Sequence, residues 1–133
     1  MKYLIDTHIL IWLAISPQEI SKDVLRILEN PENKVFVSTV SLWEIAIKLS
    51  IGKLYLQGLK ISYLVQFCEE QNIRIIQLPL SAIEQYQRLP KKENRKDPFD
   101  RFLISLSIAD NYTLVSADGK VNLYREDGLV YIN

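Results

Sequence analysis

The stretch Lys2-Tyr3-Leu4-Ile5-Asp6-Thr7-His8-Ile9-Leu10 decides how the chain folds. Tyr3-Leu4-Ile5 is short, apolar and closed by an acid, which is the pattern of a buried strand. From Thr7 to Ala14 the chain stays apolar, carries a tryptophan and turns into a helix. A strand that runs through an acid into a helix leaves that carboxylate at the strand's carboxyl end. In an open α/β sheet this is the edge at which ligands bind.

The rest of the chain repeats the layout. Ser16-Pro17-Gln18-Glu19 reads as a helix start, with a serine cap, a proline at the first position and a glutamate reaching back. That helix carries Val24, Leu25 and Leu28 on one face and stops at Asn30-Pro31. Residues 34–37 form a second strand. Ser38-Thr39 cap a helix that ends at Gly52 and carries Glu44 about two turns in. Residues 61–71 form a helix and 73–78 a third strand, and Pro79-Leu80-Ser81 leads into a helix through Leu89. Asp97-Pro98 opens a helix with Phe102, Leu103, Leu106 and Ala109 on its core side. Residues 112–116 are a fourth strand and 129–132 a short closing one. Strands alternating with helices predict an α/β fold: one three-layer α/β/α domain over residues 1–133 with a mainly parallel central sheet. Strand order is not legible from one sequence.

Composition narrows the function classes. Hydrophobic residues make up 48% and charged residues 24% of 133 positions, enough for one real core. Sixteen basic residues balance sixteen acidic ones, so nucleic-acid binding requires a local basic patch, not a whole-molecule field. Cys68, the single cysteine, excludes an internal disulfide and reads as a small buried hydrophobe, which favours a reducing cytoplasm. The amino terminus meets an acid too early for a signal peptide, and no apolar run approaches a membrane span. His8 alone cannot build a multi-histidine zinc site.

The candidate site residues are acids, and each also has a structural reading. Asp6 lies at a strand end, where a carboxylate loses hydration; it is equally suited to cap the Thr7 helix. Thr7 can orient an acid or cap the turn. Glu44 belongs to the polar row Ser41, Glu44, Lys48 on a helix otherwise apolar all round; it can face a cavity or pair with Lys48. Such a helix is buried on nearly all sides, which predicts that one side meets another chain. Asp97 is the natural N-cap before Pro98, and Asp100 is the metal-facing acid three residues on. Asp118 lies just past the fourth strand and also begins an Asp-Gly turn. Ser116 can bond an acid or end the strand. Lys91, Lys92, Arg95 and Lys96, flanked by Arg88 and Arg101, form a basic loop that can hold a phosphate backbone or be plain solvated charge. Several carboxylates in one small volume repel one another unless a cation neutralises them, so the joint pattern points to metal-dependent phosphate chemistry.

Four pieces together resemble the PIN-domain ribonucleases, and more narrowly the VapC-type toxins of toxin–antitoxin pairs. They are Leu4-Ile5-Asp6-Thr7-His8, then Val37-Ser38-Thr39-Val40-Ser41-Leu42-Trp43-Glu44-Ile45-Ala46, then Asp97-Pro98-Phe99-Asp100-Arg101, and Leu114-Val115-Ser116-Ala117-Asp118. The resemblance spans nearly the whole chain. It implies that Asp6, Glu44, Asp100 and Asp118 are the catalytic acids and that these with Asp97 bind Mg²⁺ or Mn²⁺. It implies RNA as substrate, a homodimer, and a co-expressed antitoxin protein as partner. Thr7, Lys91, Lys92, Arg95, Lys96 and Arg101 are the residues expected to touch the substrate. Ser116 stands where threonine is more usual, and Ser105 and Ser107 where alanines are common; neither departure removes an acid.

The expected reaction is hydrolysis of an RNA phosphodiester by a metal-activated water. Carboxylate oxygens suit hard cations, and the lack of a histidine cluster argues against zinc. Two alternatives stand beside it: a phosphatase that phosphorylates Asp6, and a non-catalytic RNA- or protein-binding module.

Overall fold

The computed structural model describes residues 1–53, 58–93 and 97–133. Five strands, β1 (Lys2–Ile5), β2 (Lys34–Ser38), β3 (Ile73–Ile76), β4 (Thr113–Val115) and β5 (Val130–Ile132), form one sheet in the order β3-β2-β1-β4-β5. Every pairing in it is parallel. Among the described residues, six α-helices connect them: α1 (Thr7–Ile15), α2 (Lys22–Glu29), α3 (Thr39–Ser50), α4 (Ile61–Glu70), α5 (Leu80–Arg88) and α6 (Pro98–Asp110). The chain leaves β1 in one direction for β2 and β3 and in the other for β4 and β5. The sheet's switch point therefore lies between β1 and β4, where a ligand crevice opens beyond the strand ends.

Side-chain alternation along the strands builds two cores. Tyr3 and Ile5 of β1, Val35 and Val37 of β2 and Val115 of β4 point into one layer, with Leu10 of α1, Ile45 of α3, and Leu64 and Cys68 of α4. Leu4, Phe36 and Leu114 point the other way, against Phe102, Leu103 and Leu106 of α6 and Tyr124. The parallel register sets Leu4 beside both Phe36 and Leu114, so these three line one face together. Burial on both faces is what makes a parallel sheet's strands read as unbroken apolar runs. Burial pushes the Cys68 thiol up to about 11, as expected of an inert packed sulfur. Among the described residues, no helix is long and apolar enough to cross a membrane.

Two local expectations need correction. Ser16-Pro17 does not start a long helix. Pro17–Glu19 is a single 3-10 turn, and the Ser16 side chain makes no capping bond. Ser21 is the cap of α2, its hydroxyl accepting from the Val24 amide at 3.3 Å. Residues after Asp118 are also not a simple turn. Gly119–Asp127 is a 3-10 helix whose Val121 and Tyr124, three apart, are buried. Side chains at i and i+3 eclipse in this geometry, which suits that spacing.

Helix α6 is more deeply set than one core face requires. All residues from Arg101 to Ser107 are buried, while Ala109 is half-buried. Polar members are tolerated because they satisfy themselves: the Ser105 and Ser107 hydroxyls donate to the Arg101 and Leu103 carbonyls, each at 2.8 Å. Arg101 sends its guanidinium to the carbonyls of Leu89 (2.9 Å) and Pro90 (3.1 Å) and lies over the Tyr86 ring at 5.0 Å. It thus ties the end of α5 to α6. Lysine cannot reproduce that fork. Arg101→Lys should lower unfolding free energy by about 1–3 kcal/mol, because buried carbonyls lose their donors. Urea denaturation checks this, and a change below about 0.5 kcal/mol, the scale of an ordinary surface substitution, would show the clamp to be idle.

Candidate active site

Asp6 is built in by the turn from β1 to α1. Its backbone amide donates to the Val115 carbonyl at 2.9 Å, continuing the β1–β4 ladder one residue beyond the strand. The side chain then has two duties. Oδ1 accepts from the Ile9 amide at 2.8 Å, the N-cap bond of α1. Oδ2 accepts from the Ser116 hydroxyl at 2.9 Å and the Ala117 amide at 3.0 Å, both just past β4. The capping reading of Asp6 is therefore true, and it does not exhaust the residue. Asp6 is 8% exposed. Burial pushes its carboxyl up; hydrogen bonds from Ile9, Ala117 and Ser116, and the charge of His8, pull part of that back.

Glu44 reaches the same corner from α3, whose N-cap is Ser38, its hydroxyl accepting from the Val40 amide at 3.1 Å. Glu44 is 4% exposed. Thr7 donates its hydroxyl to Glu44 Oε1 at 2.6 Å, and Lys48 donates to Oε2 at 2.8 Å. One backbone step thus joins the two acids: Asp6 and the residue bonded to Glu44 are consecutive. Thr7 is buried, with its hydroxyl turned to the acid. The expected Glu44–Lys48 ion pair is present.

Asp97 caps α6, Oδ1 accepting from the Phe99 amide at 2.9 Å, and is exposed. Asp100 sits in the first turn of α6 and is half-buried. Helices α3 and α6 meet where the Trp43 ring abuts the Phe99 ring, centroids 5.5 Å apart. Trp43 and Phe99 directly precede Glu44 and Asp100, so the two acid-bearing segments are neighbours. Trp43 is 61% exposed, and Ala46, Ile47 and Leu49 are half-buried, so within this chain α3 is not buried all round as its composition predicts. Asp118 is half-buried and caps the 3-10 helix, Oδ1 accepting from the Lys120 amide at 2.9 Å.

The basic residues divide differently from expectation. Arg101 is buried in the α5–α6 clamp, so its charge serves the fold. Lys92 donates to the Leu123 carbonyl at 2.9 Å and pairs with Asp127 at 2.6 Å and with Glu126. It therefore pins the loop to the 3-10 helix. Lys91 is exposed. Arg95 and Lys96 lie outside the described residues. Sequence reasoning missed the Ala117 amide, and no sequence signal marks a backbone donor.

Among the described residues, no group of three or more His, Cys, Asp or Glu side chains is arranged to hold a metal ion. The fit to a metal is one of chemistry. Carboxylate oxygens and a hydroxyl are hard donors that suit Mg²⁺ or Mn²⁺. Asp6 is an anion whose burial exceeds what its hydrogen bonds offset, and a nearby cation relieves such a cost.

The Asp6 shift has a measurable consequence. Its folded carboxyl titrates above its ordinary value of 3.8, so the folded state binds the proton more tightly than the unfolded one. That contribution is fully present below the unfolded pKa and is lost as pH rises through the folded one. In chelator, stability should carry a downward component from about pH 4 upward, and Asp6→Asn should remove it. Urea midpoints measured from pH 4 to pH 7 test this, and identical slopes for both proteins would refute it.

Comparison with known proteins agrees with this architecture. The PIN domain family model matches residues 3–126. The chain is similar in structure to VapBC2 from Rickettsia felis, solved bound to a promoter DNA fragment, with TM-score 0.67, 21% identity, and 100% of this chain and 98% of that one covered. It is also similar to VapBC-1 from nontypeable Haemophilus influenzae, with TM-score 0.61, 18% identity and coverage of 100% and 98%. A toxin–antitoxin complex from Klebsiella pneumoniae matches with TM-score 0.55, 18% identity and coverage of 89% and 88%. No curated protein matches the sequence. With the family match running from β1 into the 3-10 helix that Asp118 caps, the chain belongs to the PIN domain family.

Proposed function

We propose that this chain is a metal-dependent endoribonuclease that hydrolyses RNA phosphodiester bonds and serves as the toxin of a toxin–antitoxin pair. The observation that carries the reading is the joining of Asp6 to Glu44 at the switch point of the sheet. Two acids 38 residues apart in sequence converge there through Thr7, on the strand edge where α/β sheets bind ligands. PIN-family membership and the VapBC character of the structural neighbours support the same activity class and an antitoxin partner.

Asp6, Glu44, Asp100 and Asp118 are the residues assigned to hold Mg²⁺ or Mn²⁺, with Asp97 beside them. When bound, the metal supplies Lewis-acid activation of a water and charge stabilisation at the phosphate. The chain's own residues do the positioning. Ser116 and the Ala117 amide hold one Asp6 oxygen while the Ile9 amide holds the other, so the carboxylate cannot rotate freely. Thr7 fixes Glu44 in the same way. Lys91, with Arg95 and Lys96, is the local positive charge assigned to the RNA backbone, since net charge is zero. The apolar side of α3 that ends at exposed Trp43 and Ile51 is assigned to a second copy of the chain. The cytoplasm is the compartment in which such a pair acts.

Purified protein should cut single-stranded RNA with Mg²⁺ or Mn²⁺ and lose activity in chelator. Asp6→Asn should reduce the rate more than about 100-fold, beyond the 10–100-fold typical of outer-shell partners. Cleavage that survives chelator or Asp6→Asn would refute the nuclease reading. Thr7→Val removes the hydroxyl from Glu44 and should cost about 10–100-fold in single-turnover rate, with the fold retained by circular dichroism. A rate within twofold of wild type would show that Glu44 needs no such support.

A further inference from the structure

Glu44 is neutralised from within the chain. Both carboxylate oxygens are engaged: Oε1 by Thr7 at 2.6 Å and Oε2 by Lys48 at 2.8 Å. Lys48 stands one turn further along α3, in the i,i+4 arrangement with glutamate on the amino-terminal side, the better orientation of the two. The partners differ sharply in exposure, with the Lys48 side chain 37% open to solvent and that of Glu44 5%. The ammonium therefore enters a closed corner from the solvent side, on a flexible four-carbon stem that can also withdraw.

We propose that Lys48 is the resident counter-ion of this site. Its ammonium sits on the carboxylate that a divalent cation would share, so the cation meets a fixed positive charge there, and that competition raises the metal concentration at which the site fills. The inference rests on the metal-site reading of Glu44. A buried carboxylate without a partner is costly, and Lys48 removes that cost in the metal-free protein. A cation binding Glu44 must then compete with a tethered ammonium for the same negative charge. The ordinary i,i+4 surface pair has no such consequence, because its acid is already solvated and can take a second partner without losing the first. Here the acid is buried, so the Lys48 charge acts on it with little screening by solvent.

The test is calorimetric titration with Mn²⁺, together with melting temperature with and without Mn²⁺. It compares wild type, Lys48→Met, Lys48→Arg and Lys53→Met. Lys48→Met should melt lower than wild type in chelator, yet bind Mn²⁺ with a dissociation constant roughly three- to fivefold smaller, the scale of a half-open ion pair. Its Mn²⁺-induced rise in melting temperature should exceed that of wild type. Lys48→Arg, which keeps the charge, should stay near wild type. Mn²⁺ affinity that is unchanged or weaker in Lys48→Met would overturn the inference. So would an equal gain in Lys53→Met, which removes a nearby exposed charge and would signal a general field effect. If wild type binds no Mn²⁺, the metal-site reading itself falls; if wild type binds and Lys48→Met binds no better, only the role of Lys48 falls.

Discussion

The capture of the Asp6 carboxylate by donors from two separate strand ends is the contact on which the site depends. Ile9 reaches it from the helix that follows β1, and Ser116 and Ala117 reach it from the segment that follows β4. The donors converge because β1 and β4 are adjacent and parallel, so both strands end at the same edge. Three hydrogen bonds hold a charge that burial alone would expel. They do not offset that burial fully, and the carboxyl stays harder to ionise than in water.

The second acid shows how the same cost is met in another way. Among the described residues, Glu44 takes a hydroxyl from Thr7 and an ammonium from Lys48, both from side chains. Thr7 is both the first residue of α1 and the hydroxyl that binds Glu44, so the strand-to-helix turn after β1 positions both carboxylates. Side chains that hold an acid in this manner fix its orientation.

Cationic residues near the site are divided between fold and surface. Arg101 and Lys92 lie in or beside the basic loop, and in sequence they read like phosphate contacts. The structure commits Arg101 to the Leu89 and Pro90 carbonyls and Lys92 to the 3-10 helix. For Arg101 the choice follows from burial, since a guanidinium inside a helix–helix junction must find acceptors there, whereas Lys92 follows the carboxylates of Glu126 and Asp127. The lesson is specific to charge. Residue type says that a cation exists, and only its surroundings say what it neutralises.

Much of the fold was legible because periodicity and caps are local properties. The apolar run of β1, the Ser38 cap of α3, the Asp97-Pro98 start of α6 and the alternation of strands with helices each depend on neighbours within a few residues. Where local signals competed, reading failed: Ser16-Pro17 resembles a helix start, yet Ser21 is the cap that packing selects. Asp6 and Glu44 could be picked out as acids near strand ends, but the Thr7 bridge, the Ala117 amide and the buried fate of Arg101 could not. The sequence by itself determined the alternation of strands with α-helices and which acids follow the strands. The tertiary structure alone decided the order β3-β2-β1-β4-β5 and the partner of each charge, because both rest on contacts between residues far apart in the chain, to which a local pattern is blind.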